Sequence, residues 1–331
     1  MVVFWLFSHR DPALVIYYDW MPMSYLLFLA ILFILPLRYH STTGRYHFLR
    51  TLKRVALGNI AEAKDGKFGD ILLADVLTSY AKVLADLFIS VCMFLTTNGS
   101  ATDKPDRKCG GKYLVPFLIA VPSAIRFRQC MIEYFRVRSA NHRTTSSLDA
   151  KGWGGVHLAN ALKYSTAFPV IILGAMQRSS ADIAKEGVLG NETKLYRMWL
   201  FAVIVNSLYS FWWDVTKDWD LTLLTPRRSG LEHPFGLRRR MVFRTNNIYY
   251  LAIGLDFLLR LTWMLRLSKG LEGFNDWEGG IFTLQVLEVF RRWVWIFFRV
   301  ETEWVRNVGN GLGVDDILLG DYSSGKDDLD D

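Results

Sequence analysis

Cysteine is scarce in this chain. The 331 residues hold only Cys92, Cys109 and Cys130, with no Cys-x-x-Cys pair and no cysteine–histidine spacing of the metal-ligating kind. That scarcity argues against zinc modules, dithiol redox motifs and disulfide-knit secreted scaffolds. Cys92 and Cys109 can meet if they share the non-cytosolic side, but spacing alone leaves their pairing open. Catalytic motifs are missing as well. No Gly-x-Ser-x-Gly, no His-x4-Asp and no nucleotide-binding loop occurs, and the six histidines form no metal spacing. No enzyme chemistry, metal or cofactor is therefore expected. The amino-terminal stretch Met1–Pro12 is apolar only as far as Phe7 and has no small-residue cleavage site. A cleaved leader is not expected, and the first apolar block serves as the insertion signal. No repeat of fixed period is present.

Apolar residues are abundant. The chain is 51% hydrophobic and 15% aromatic, with 12 Trp and 22 Phe. They fall in blocks near the ~20 residues that cross a bilayer core, separated by basic or polar stretches. The mean hydropathy of +0.16 is low for a simple channel. It suits a transporter whose buried helices carry charge along a wet path. The formal charge of +7 does not indicate nucleic acid, because Lys and Arg sit mainly at the ends of the apolar blocks.

The expected fold is all-α, a polytopic transmembrane helix bundle of about seven spans. The spans run near Leu14–Leu37, Ile71–Leu95, Tyr113–Tyr134, His157–Met176, Leu195–Trp213, Ile248–Leu267 and Ile281–Phe298. The bundle occupies residues 1–308, and residues 309–331 form a Gly-, Ser- and Asp-rich tail that reads as disordered and cytosolic. The tail is not a lumenal retrieval signal of the KDEL type. Basic clusters set the orientation: Arg45, Arg50, Lys53, Arg54, Lys64 and Lys67; Arg126, Arg128, Arg136, Arg138 and Arg143; Arg227, Arg228, Arg238, Arg239, Arg240 and Arg244. With alternating spans all three share one side, which the positive-inside rule makes cytosolic. The two glycosylation sequons, at Asn98 and Asn191, then face the lumen or exterior.

The charges inside the spans carry the functional signal. Asp75, Ser79, Lys82 and Asp86 recur at intervals of four, three and four, which makes one polar stripe on a continuous helix. Facing lipid, each central charge would cost roughly 2.5–3.5 kcal/mol, so the stripe faces protein or water. Lys163 and Tyr164 open the fourth span, where Lys163 has the alternative of snorkelling to headgroups. Asp214 and Asp218 lie one turn apart, and a solvated helix end is the plain alternative there. Asp256, Arg260 and Trp263 follow helical spacing, as do Glu288, Arg292, Trp295 and Arg299. Arg291 and Arg292 point about 100° apart, so both cannot face lipid cheaply. Such an arginine-rich interior suits a tetrahedral oxyanion, because guanidinium forks donate paired hydrogen bonds and stay charged. A proton-coupled carrier or an ion-pair-braced scaffold would share this pattern.

At these residues the sequence resembles the EXS-domain family of phosphate exporters. The matching segments are Gly69–Ser79 (GDILLADVLTS), Arg126–Cys130 (RFRQC) and Asn160–Thr166 (NALKYST). They continue with Trp212–Trp219 (WWDVTKDW), Leu259–Trp263 (LRLTW) and Glu288–Glu301 (EVFRRWVWIFFRVE), a core of 69–304. The resemblance implies a phosphate path through Asp75, Lys163, Tyr164, Asp214, Asp218, Arg260, Arg291 and Arg292, gated by Trp263. Ser79, Lys82, Asp256 and Glu288 support it. Val76 and Thr78 stand where the family pattern carries amide side chains. An SPX domain ahead of the bundle is not expected, and the amino terminus is expected to be short. That resembles a small fungal branch linked to retention of ER proteins and recycling of Golgi glycosyltransferases. The implied function is export of inorganic phosphate from Golgi lumen to cytosol, across a Golgi membrane, with ER or plasma membrane as the alternatives. A sorting adaptor that binds glycosyltransferases or coat proteins without transporting anything is the competing reading, and a homodimer is left open.

Overall fold

The computed structural model describes residues 2–35, 42–62, 66–95, 105, 109, 113–143, 154–185, 192–225, 234–238, 240–267 and 278–307. The sequons at Asn98 and Asn191, the arginines at 227, 228 and 239, and the tail 309–331 lie outside the described residues. Among the described residues the structure is helical, with no strand. The helices are α1 (Val2–Ser8), α2 (Pro12–Tyr17), α3 (Trp20–Ile34), α4 (Thr42–Ala56), α5 (Lys67–Ser79) and α6 (Ala81–Leu95). They continue as α7 (Leu114–Arg143), α8 (Gly155–Ser165), α9 (Ala167–Lys185), α10 (Glu192–Trp213), α11 (Asn246–Arg260) and α12 (Glu278–Asn307). A π-helical turn, Asp214–Asp218, extends α10, and a 3-10 turn, Thr262–Leu267, follows α11.

Every expected span coincides with helix, and the edges and breaks differ. Three helical stretches are long and apolar enough to cross a membrane: Ala13–Phe33, Leu114–Ser139 and Gly155–Ser179. The pair α5–α6 makes a fourth if counted as one broken span. The remaining expected spans fall on α10, α11 and α12, which are not among these stretches: α11 has only 15 residues, and α12 carries inward charges such as Arg291 and Arg292. The second span is not one helix. It breaks at Tyr80, whose N–H turns back to the Leu77 carbonyl. The stripe read across Asp75 to Asp86 is therefore two pieces, and a continuous 3.6-residue period does not hold through it.

The chain divides into two compact units, Met1–Arg50 with Ala81–Ile119, and Thr51–Tyr80 with Ala120–Asp331. In the first, Cys92 and Cys109 are joined as a disulfide. Lys82 pairs with Asp86 on its own helix at 3.3 Å. Asp11 caps α2 by accepting from the Ala13 N–H at 2.9 Å, with Pro12 in the first helical turn where no amide is needed.

In the second unit α9 packs on α10, α11 on α12, and α12 on both α5 and the π-turn. Its apolar core gathers Val215, Trp219, Leu221, Leu237, Tyr249, Ala252, Ile253, Trp295 and Phe298. Leu251, Leu258 and Phe201 face outward at about 70% exposure, which a bilayer tolerates and water does not favour. Gly58 holds a left-handed turn at φ +70°, where a Cβ would stand 2.8 Å from Arg128 Cδ. The lack of a side chain lets Arg128 close over the turn and donate to the Leu57 carbonyl at 2.8 Å.

Candidate functional site

Helix α5 brings Asp75 and Ser79 into the second unit's interior, at 3% and 7% exposure. Asp75 Oδ1 accepts from Arg126 Nε of α7 at 2.7 Å and from the Tyr164 hydroxyl of α8. The Arg126 guanidinium also lies 4.9 Å over the Tyr164 ring and donates to Gln129 Oε1 at 2.7 Å. A buried carboxylate is thus held by a guanidinium and a phenol, the partners its desolvation demands.

Next to Tyr164, Lys163 turns into the bundle rather than toward headgroups: it is 5% exposed. Its ammonium donates to Asp214 Oδ1 at 2.8 Å and to Asp218 Oδ2 at 3.3 Å. Both carboxylates come from the π-turn. The Trp219 N–H closes that turn on the Asp214 carbonyl at 2.9 Å, an i to i+5 bond. The local widening aims Asp214 and Asp218 at one cation, so the solvated-helix-end alternative does not apply to Asp214, which is fully buried.

Asp214 is the hub. Its other oxygen, Oδ2, accepts from Arg260 Nη2 and lies 3.6 Å from Arg291 Nη1. Arg260 also donates to Asp256 Oδ2, four residues before it on α11, at 3.0 Å. Arg291 reaches Asp256 Oδ1 at 3.0 Å and Glu288 through two nitrogens at 2.6 and 3.1 Å. Glu288 Oε1 accepts in turn from Ser79 Oγ at 2.8 Å, and Ser79 accepts from Arg292 Nε at 3.0 Å. Arg292 completes its contacts with Thr78 Oγ1 at 3.3 Å and stacks 4.5 Å over the Trp295 ring. The two adjacent arginines take different partners, as their 100° separation requires. Arg292 Nη1 is buried and has no hydrogen-bond acceptor.

The structure therefore joins Asp75, Ser79, Lys163, Tyr164, Asp214, Asp218, Asp256, Arg260, Glu288, Arg291 and Arg292 into one network. Two expected members stand apart. Trp263 follows Arg260 in the 3-10 turn, and its Nε1 is buried without an acceptor. Lys82 is engaged with Asp86. One member is new: Arg126, read from sequence as a cytosolic topogenic charge, is 3% exposed and fully engaged. Its signal was available, because Arg126, Gln129, Cys130 and Glu133 repeat at helical intervals and all four are buried, whereas Arg128 faces outward. Thr78, standing where the family pattern has an amide, contributes a hydroxyl to Arg292 instead.

Charge in this network is shared, and it extends through Asp218 to Arg299 at 4.0 Å, which also pairs with Glu303. At its centre Arg126, Lys163, Arg260 and Arg291 pair with Asp75, Asp214, Asp218, Asp256 and Glu288, while Arg292 joins through Ser79. Asp214 and Asp256 each serve more than one cation. Guanidinium forks of this kind fit the paired oxygens of an oxyanion, which can compete with the carboxylates for the same donors. Among the described residues no group of three or more His, Cys, Asp or Glu is disposed to hold a metal ion.

A helical membrane protein with a buried network of paired charges is the class these observations define. The chain belongs to the EXS family, whose family model matches residues 1–305. It is 35% identical over 240 residues to Protein ERD1 homolog 1 of Schizosaccharomyces pombe, covering 72% of this chain and 58% of that protein. To Protein ERD1 of Kluyveromyces lactis it is 32% identical over 273 residues, 79% of this chain and 65% of the relative. To Solute carrier family 53 member 1 of Mus pahari it is 30% identical over 310 residues, 90% of this chain and 41% of the relative. The chain thus spans roughly three-fifths of the ERD1 proteins it matches, 58% to 65%.

Proposed function

We propose that the chain exports inorganic phosphate through the second unit's helix bundle, from Golgi lumen to cytosol, and so supports glycosylation and retention of ER and Golgi proteins. The observation that carries the reading is the network itself: five inward cations, with Asp214 and Asp256 each divided among several of them and one guanidinium nitrogen, Arg292 Nη1, left without an acceptor. Phosphate binds by taking donors from Arg260, Arg291 and Arg292, while Asp214, Asp256 and Glu288 fall back on the donors that remain. When phosphate leaves, the carboxylates reclaim the arginines. The path resets without exposing an unpaired charge to the bilayer, a state that costs several kcal/mol. Membership of the EXS family and similarity to a protein named as a solute carrier support transport and weigh against an enzyme. The resemblance to the fungal branch linked to recycling of Golgi glycosyltransferases favours a Golgi setting.

Phosphate flux across liposomes containing the purified chain, with sulfate as competitor, tests the reading. Saturable phosphate flux that sulfate inhibits weakly is expected; absence of flux by folded protein overturns it. Cellular rescue separates transport from adaptor action on glycosyltransferases or coat proteins. Arg292→Ala at normal level and location should fail to restore glycosylation, whereas an adaptor would still work. Orientation is tested by cysteine labelling, with Arg138→Cys and Arg239→Cys expected on the cytosolic side.

A further inference from the structure

A cavity of about 620 Å³ lies beside the network, walled by α7, α8, α10 and the π-turn. At ~30 Å³ per water, it has room for a small oxyanion together with a first hydration shell. Its lining includes His157, Tyr209, Trp212, Trp213 and Lys217, and no acidic side chain among the described residues. Trp213 is shared between the two compartments. It forms part of the cavity wall, and its ring lies 6.0 Å from the Lys163 ammonium inside the network. The π-turn is shared as well. Asp214 and Asp218 aim inward at Lys163, while Lys217, between them, lines the cavity. Lys217 has no carboxylate within ion-pair distance among the described residues, in contrast to Lys163, which has two. The α10 wall beside Trp213 is braced: Tyr209 stacks on Trp212 at 6.0 Å and donates to the Ala159 carbonyl of α8 at 2.9 Å.

We propose that this cavity is the vestibule through which the phosphate anion passes on that face of the protein, with Lys217 as the receiving cation and Trp213 as the partition in front of Lys163. The proposal rests on the transport reading above and adds the entry compartment to it. An unpaired, half-buried ammonium in an open-sided recess concentrates anions without holding them tightly. Lys163 beyond the partition binds only when Asp214 and Asp218 yield. Passage therefore runs from a loose, hydrated site to a dry, competed one, and displacement of the Trp213 ring joins them.

The test uses the full chain in oriented liposomes, with phosphate varied on each face separately. K217Q should raise the half-saturating phosphate concentration on the Lys217 face about tenfold at low ionic strength, with maximal flux unchanged. The difference should shrink at 0.15 M salt, where screening acts over about 8 Å. The opposite face should keep its wild-type value, and K217R should restore the Lys217 face. A159F, which fills the cavity from the α8 wall, should slow flux while K217R does not. An equal shift on both faces, no shift on either, or full flux by A159F overturns the vestibule. No flux by the unaltered chain overturns the transport reading instead.

Discussion

Two buried charge clusters in the second unit look alike in composition and differ in wiring. Near the apolar core, Arg238 and Glu301, each 5% exposed, face one another at 3.0 Å. Glu301 also accepts from the Tyr249 hydroxyl and from the Val242 N–H at 2.7 Å. This pair is dedicated: the only cation paired with Glu301 among the described residues is Arg238, and the rings of Tyr249, Phe243 and Phe298 pack beside it. In the central network Asp214 divides itself among Lys163, Arg260 and Arg291. A dedicated pair fixes the position of two chain segments. Shared carboxylates leave cations that a third anion can borrow. Burial of charge alone does not distinguish Glu301 from Asp214, but the number of cations each carboxylate serves does: one against three.

The largest effect should come from breaking the dedicated pair. Glu301→Ala strands a buried guanidinium, a loss on the order of 3–5 kcal/mol. Thermal unfolding of the purified variant in detergent should show a sharply lowered midpoint, while flux per folded molecule stays near normal. Loss of flux in fully stable protein would place Glu301 with the central network.

The next effect sharpens the contrast. On the proposed phosphate reading, Arg260→Ala or Arg292→Ala should remove charge-assisted hydrogen bonds of about 1.5–3 kcal/mol each. At 1.4 kcal/mol per decade this weakens apparent affinity about 10- to 150-fold. Arg→Lys at either position keeps the charge and loses the planar fork, so flux should still fall well below wild type. Near-normal flux in both lysine variants, normalised to folded protein, would make these arginines scaffolding like Arg238.

A smaller effect is expected at Trp263, whose indole N–H is buried without an acceptor. Trp263→Phe keeps most of the ring and deletes that donor. If the N–H meets phosphate in passage, apparent affinity falls by about 1 kcal/mol, or roughly fivefold. Unchanged kinetics would confine Trp263 to a steric part.

Much of this site was legible as spacing. Glu288, Arg292 and Trp295 share a helix face, as do Asp256 and Arg260, and the structure keeps both relations because a helix fixes them locally. Arg126 was misjudged because a basic residue at a span's end satisfies the topology rule equally well from inside or outside the bundle. Only its stripe with Gln129 and Glu133 favoured the inside.

By itself the sequence determined the helical class, the apolar blocks and which charges share a face, because these follow from bonding and periodicity within a dozen residues. Tertiary structure decided the break at Tyr80, where neither Pro nor Gly signals one. It also decided the π-turn that aims Asp214 and Asp218 at Lys163, and the division of carboxylates among the arginines. Each of those depends on partners brought from other helices, such as Glu288 meeting Ser79 across 209 residues. A buried charge takes whichever partner the packing brings within reach, and no local period encodes that choice.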